Sequence, residues 1–107
     1  MSSNPVRTAP FKVTVEPGPD KTVVHCSGPL VAENTDKLKN AVKPLFTSTK
    51  LVQIDLAGVN YVDSAGLGAI VGLYTSARAA HSEMKLVNFN DQVRDLLHIT
   101  NLLWVLA

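Results

Sequence analysis

Val59-Asn60-Tyr61-Val62-Asp63-Ser64-Ala65-Gly66-Leu67-Gly68-Ala69-Ile70-Val71-Gly72-Leu73-Tyr74 is the stretch on which the reading of this chain turns. The run before it, Leu51-Val52-Gln53-Ile54-Asp55-Leu56, is short and apolar, as a buried strand is. Within it, Leu67, Ile70, Val71 and Tyr74 fall at i, i+3, i+4 and i+7, the spacing of one helix face. Asp63 to Gly68 is where strand hands over to helix. Asp63 suits the N-cap, because its carboxylate can accept from the first free N–H groups. Ser64 then takes the first helical position, at the surface and beside the positive end of the helix dipole. A hydroxyl held there can be a nucleophile, a cap or a site of modification.

Toward the N-terminus, Met1 to Pro10 is rich in Ser, Asn, Pro and Thr and reads as a loose arm. Phe11 to Glu16 alternates apolar and polar residues, and Thr22 to Ser27 reads as its returning strand across the turn cluster Pro17-Gly18-Pro19-Asp20. Gly28-Pro29 ends this hairpin. Leu38, Ala41, Val42, Leu45 and Phe46 form a helical stripe that Asn34 or Thr35 is placed to cap. Pro44 interrupts it, so the helix is expected to kink, tighten or end near Lys43. Toward the C-terminus, the helix after Asp63 runs to about Ala80 and Met84 to Phe89 reads as a strand. Asn90 or Asp91 caps a short helix with Val93, Leu96 and Leu97 inward. Leu102 to Leu106 is a last apolar piece, either an edge strand or a docked tail, with Trp104 expected to dock in the core.

The fold class is therefore α/β: a small mixed sheet of four to five strands with helices packed on it, in the order β-β-α-β-α-β-α, with a final strand as an option. Strand–helix alternation after the hairpin predicts parallel neighbours. With 107 residues there is room for one domain, residues 11–107 after the arm.

Composition excludes several function classes. A net charge of +1 gives no electrostatic case for nucleic acid or an anionic membrane. No apolar run approaches the roughly 18 residues of a membrane span, and no signal-peptide h-region follows Met1, so a cytoplasmic protein without direct membrane insertion is expected. The lone Cys26 rules out an internal disulfide and reads as a small buried residue. His25, His81 and His98 lie in different elements without metal-ligand spacing, so no metal and no cofactor are expected. Ser64 lacks the G-x-S-x-G elbow, and a catalytic site is not expected. Gly66-x-Gly68-x-x-x-Gly72 has one residue too many for a dinucleotide fingerprint and lacks a phosphate-loop lysine. Those glycines read as close helix–sheet packing. Lys37, Lys39 and Lys43 read as a solvated helix face.

The string Val62-Asp63-Ser64-Ala65-Gly66-Leu67-Gly68-Ala69-Ile70-Val71-Gly72-Leu73-Tyr74, with the strand before it and the hairpin–helix–strand order around it, resembles the signature of the STAS domain of bacterial anti-sigma factor antagonists. The resemblance covers roughly residues 11 to 106. It implies a protein that binds an anti-sigma factor serine kinase and so releases a sigma factor. The kinase phosphorylates one serine and thereby frees the antagonist; a serine phosphatase resets it. The matching position is Ser64, with Asp63, Ser64, Ala65, Gly66, Leu67 and Gly68 as the partner-binding turn. Ala65 stands where the family often has Ser or Thr, leaving Ser64 as the hydroxyl of that turn. Gly28-Pro29-Leu30-Val31-Ala32-Glu33 departs from the family's Gly-Glu-Leu-Asp-like stretch, since Pro29 and Val31 replace both acids. That departure leaves a second implication open, a non-switching scaffold subunit of a signalling or lipid-transporter complex. A monomer or weak dimer is expected.

Overall fold

The computed structural model describes residues 10–107; apart from Pro10, the expected N-terminal arm lies outside the described residues. Strand β1 (Lys12–Glu16) turns back into β2 (Thr22–Ser27), and the two pair antiparallel from Lys12 opposite Ser27 to Glu16 opposite Val23. β2 then runs parallel to β3 (Leu51–Gly58), and β3 parallel to β4 (Glu83–Val87). The spatial order, β1-β2-β3-β4, repeats the order in sequence. Each parallel step therefore moves the same way across the sheet. Crossovers of one hand then place their helices on the same face.

Burial follows this geometry with a period of two. Val24 and Cys26 of β2, Val52, Ile54 and Leu56 of β3, and Met84 and Leu86 of β4 are buried against the helices. The alternate residues, such as His25, Gln53, Asp55 and Lys85, lie half-buried or exposed on the other face. Fully burying one such Val, Leu or Ile contributes about 1.5–3 kcal/mol. Burial also makes Cys26 an inert thiol, pushed up to about 12 by desolvation, with the Asp55 carboxylate adding to the effect.

Helix α1 (Thr35–Val42) buries Leu38 and Val42 and tightens into a 3-10 segment, Lys43–Thr47, that buries Phe46. Pro44 sits at the start of that segment, where its missing N–H and fixed φ cost least. Side-chain capping at Asn34 or Thr35 does not occur. A 3-10 turn, Ala32–Asn34, precedes the helix, and the Asn34 amide donates instead to the Pro29 carbonyl at 2.7 Å, while the Thr35 hydroxyl donates to the Ala32 carbonyl at 3.2 Å. Lys37 is less free than a solvated face implies, since its ammonium donates to the Phe11 carbonyl at 3.0 Å.

Helix α2 (Ser64–Ala79) crosses back to β4, and α3 (Asp91–Ile99) follows, capped by Asn90, whose side chain accepts from Val93 N–H at 2.9 Å. Both helices end in a left-handed residue, His81 (φ 58°) and Asn101 (φ 63°). After each, the chain folds back onto the last turn: Ser82 N–H donates to Ala77 and Leu102 N–H to Leu97, both at 2.8 Å. The final apolar piece is one helical turn, α4 (Leu103–Leu106), not a fifth strand. Leu106 is buried, whereas Trp104 is 76% exposed, so the expected docking of Trp104 in the core is not found. With Leu103 and Leu106 one turn apart facing inward, position 104 points away.

Candidate functional site

The turn from Asp63 to Gly68 is built on a second loop. Beyond the ends of β2 and β3 the chains stay zipped together: Gly28 N–H donates to the Gly58 carbonyl and Leu30 N–H to the Tyr61 carbonyl, both at 2.9 Å, and Asp63 N–H donates to the Leu30 carbonyl at 3.2 Å. Leu30 and Val62 form an isolated parallel bridge. Gly28 takes φ 91°, a conformation that disfavours any side chain, and a Cβ there would lie 2.3 Å from the Pro10 carbonyl oxygen.

Asp63 joins the two loops. It is the N-cap of α2, in extended conformation, and its Oδ1 accepts from Gly66 N–H at 2.8 Å. Its Oδ2 accepts from Ala32 N–H of the neighbouring loop at 3.3 Å, and its backbone carbonyl accepts from Leu67 N–H at 2.9 Å. Gly66 is the point of closest approach, for a Cβ there would lie 2.2 Å from the Leu30 carbonyl oxygen. Ser64 is the first residue of α2 and is exposed, as are Ala65 and Gly68; Leu67 and Asp63 are half-buried and Gly66 is buried. The six residues expected to form the binding turn are thus contiguous, but Gly66 serves it from within. With Gly66 and Leu67 N–H occupied by Asp63, the N–H groups of Ser64 and Ala65 have no protein acceptor among the described residues. They stand at the positive end of a 16-residue helix.

Two details of α2 differ from the expected stripe. Its buried positions are Gly66, Ala69, Ile70, Leu73 and Ala77; Leu67 and Tyr74 flank them, and Val71 is 37% exposed. The close approach of Gly66 to Leu30 lies on this inward face, which small Gly66, Ala69 and Ala77 share with Ile70 and Leu73. Close packing as the reason for glycine therefore holds at Gly66 but not at Gly68 or Gly72, whose Cβ positions face open space.

The structure places the two departures, Pro29 and Val31, on the inner side of their loop. Both residues are buried, so neither side chain reaches the outer surface beside Ser64; Glu33, one residue beyond Ala32, is the exposed carboxylate of this loop. Periodicity did not reveal a groove of about 390 Å³ beside the turn, between Asn60, Tyr61 and Val62 and the α3 residues Gln92, Val93, Asp95, Leu96 and Ile99. It depends on how α3 packs, which no local pattern reports.

Two of the three histidines lie far from Ser64. His81 closes the other end of α2, about 24 Å away at 1.5 Å per residue. His25 lies on the far face of the sheet, bonded to Glu16 and Asp55. Among the described residues no group of three or more His, Cys, Asp or Glu could hold a metal ion, and no helix is long and apolar enough to cross a membrane.

Comparison with known proteins agrees with this architecture. The model of the STAS domain matches residues 11–106. An anti-sigma-B factor antagonist of Listeria monocytogenes is 34% identical over 84 residues, covering 78% of this chain and 74% of its own. The crystal structure of an anti-sigma factor antagonist from Mycobacterium paratuberculosis superposes with a TM-score of 0.80 at 22% identity, over 91% of this chain and 83% of that one. The Bacillus cell fate determinant SpoIIAA in its phosphorylated form superposes with a TM-score of 0.68 at 15% identity, over 87% of this chain and 85% of that one. With the family model spanning both zipped loops and the helix they support, the chain belongs to the STAS domain family, among the anti-sigma factor antagonists.

Proposed function

We propose that this protein is a cytoplasmic anti-sigma factor antagonist that binds a serine-kinase anti-sigma factor through the Asp63–Gly68 turn and is switched off by phosphorylation of Ser64. The observation that carries the reading is the placement of Ser64: an exposed hydroxyl at the first position of α2, on a turn held from behind by Asp63 and Leu30. A phosphate there adds about −1.5 to −2 charges and three acceptor oxygens. Unoccupied N–H groups and the helix dipole favour an anion at this place, so the domain keeps its fold. A partner packed over the turn meets the full new charge, with the nearby Asp63 carboxylate adding to the repulsion. An uncompensated charge in such a contact costs about 2–5 kcal/mol, which is roughly 30-fold to several-thousand-fold in affinity.

The test is incubation of wild type, Ser64→Ala and Ser64→Asp with the cognate kinase-type anti-sigma factor and ATP, followed by intact-mass analysis and a binding titration. Wild type gains one phosphate and Ser64→Ala gains none while still binding. Ser64→Asp binds at least about 10-fold more weakly. Equal phosphorylation of Ser64→Ala overturns the assignment. A stable complex indifferent to Ser64→Asp instead marks a non-switching scaffold.

A further inference from the structure

The sheet face turned away from the helices carries a hydrogen-bonded row. His25 pairs with Thr14 of β1 on one side and Asp55 of β3 on the other. Its Nδ1 lies 2.9 Å from Asp55 Oδ2 and its Nε2 lies 2.7 Å from Glu16 Oε1. Ionised carboxylates only accept hydrogen bonds, and a neutral imidazole has one N–H to give. Both contacts are satisfied together when the ring carries both protons. Placing the extra proton on a carboxyl instead reverses the ordinary order of affinities, since carboxylates hold protons far more weakly than imidazole.

The two carboxylates are held unequally. Asp55 is 14% exposed, and its Oδ1 also accepts from Ala57 N–H at 2.9 Å. Glu16 is 68% exposed, at the end of an edge strand whose side chains are mostly in solvent.

We propose that Glu16, His25 and Asp55 form a proton-operated clamp across β1, β2 and β3, in which release of the His25 proton to solvent frees Glu16 and loosens the end of the outer strand. With the proton gone, one ring nitrogen presents a lone pair to a carboxylate, and the exposed, singly held Glu16 is the group that leaves. Asp55 stays with Ala57 and the remaining imidazole N–H. β1 then keeps its backbone ladder to β2 and its Val13 packing but loses the side-chain tie through Glu16.

The electrostatics point the same way. His25 is raised above its ordinary value, first by the hydrogen bond to Glu16 and then by that to Asp55. Burial alone raises Asp55, but the Ala57 N–H and the His25 and Asn88 side chains outweigh it, and the carboxyl lies below the usual range. The charged groups on this face are Glu16 and Lys12 from β1, Asp55 from β3, and Glu83 and Lys85 from β4. Because the folded value is raised, the clamp contributes fully below the unfolded imidazole value of about 6.5. Its contribution is lost as pH rises through the higher folded value.

The experiment is an NMR titration of the full chain labelled at histidine, from about pH 5 to about pH 9, with His25→Gln identifying the resonances among the three histidines. Both ring nitrogens are expected to be protonated at the acid end, with a midpoint above about 6.5. That midpoint moves back toward the ordinary value in Glu16→Gln, whose exposed site leaves folding intact. Amide exchange, corrected for its intrinsic pH dependence, accelerates in β1 relative to β3 through the same midpoint in wild type but not in Glu16→Gln. A His25 midpoint at or below the ordinary value, or one that Glu16→Gln leaves unmoved, overturns the clamp.

Discussion

Three glycines of one helix separate by what lies opposite them. Gly66→Ala drives a methyl to 2.2 Å from the Leu30 carbonyl oxygen. Displacing that backbone is expected to cost about 1–3 kcal/mol or more and to loosen the loop that Asp63 holds. Gly72→Ala, on the same helix but facing open space, is expected to raise stability by about 1 kcal/mol, the helix-propensity difference between the two residues. Urea denaturation of the two variants checks both signs at once. The sequence alone does not separate these glycines, because the group that distinguishes Gly66 is a carbonyl far away along the chain. Asp63 and Ser64 were legible for the opposite reason. Capping is local chemistry, decided by a short carboxylate and the N–H groups immediately after it. Pro29 and Val31, read as missing acids, needed the structure to show that their side chains turn inward.

At the scale of elements, helix ends were easier to place than helix faces. Pro44 announced a change of helix type within one turn, and the 3-10 segment begins at Lys43. The faces of α2 were misassigned by about one position, since an apolar periodicity with four small residues among its neighbours does not say which side approaches the sheet. The C-terminus of α2 offers a test of end geometry. His81 holds φ 58°, a conformation that costs a side chain on the order of 1 kcal/mol and glycine little. His81→Gly is therefore expected to stabilise the fold by about that amount, measured as a rise in denaturation midpoint with unchanged slope. The last element gives a contrasting pair. Leu106→Ala empties a buried site and is expected to cost about 2–5 kcal/mol. Trp104→Ser alters an exposed side chain and is expected to change stability by less than about 0.5 kcal/mol. Both follow from thermal unfolding monitored by far-UV circular dichroism. The tail was read as an edge strand or a docked tail, because a short apolar run fits either; the structure shows the second, in helical form.

For the molecule as a whole, strand direction was the part most open to sequence, and the relation between its loops the least. Alternating periods of two and 3.6 imply parallel neighbours after a hairpin, and the sheet has them. Nothing local implies that residues 28–33 and 59–68 share one surface; that follows from β2 and β3 lying side by side with their ends level. The simple order β1-β2-β3-β4 has a consequence for synthesis. Every strand pairs with the one made just before it, so no strand must wait for a later one to complete its inner edge. A chain leaving the ribosome can extend the sheet at a single growing edge, each new strand sealing the last. The growing edge finally rests on β4, where Glu83 and Lys85 flank Met84 and discourage a strand from another molecule from continuing the series.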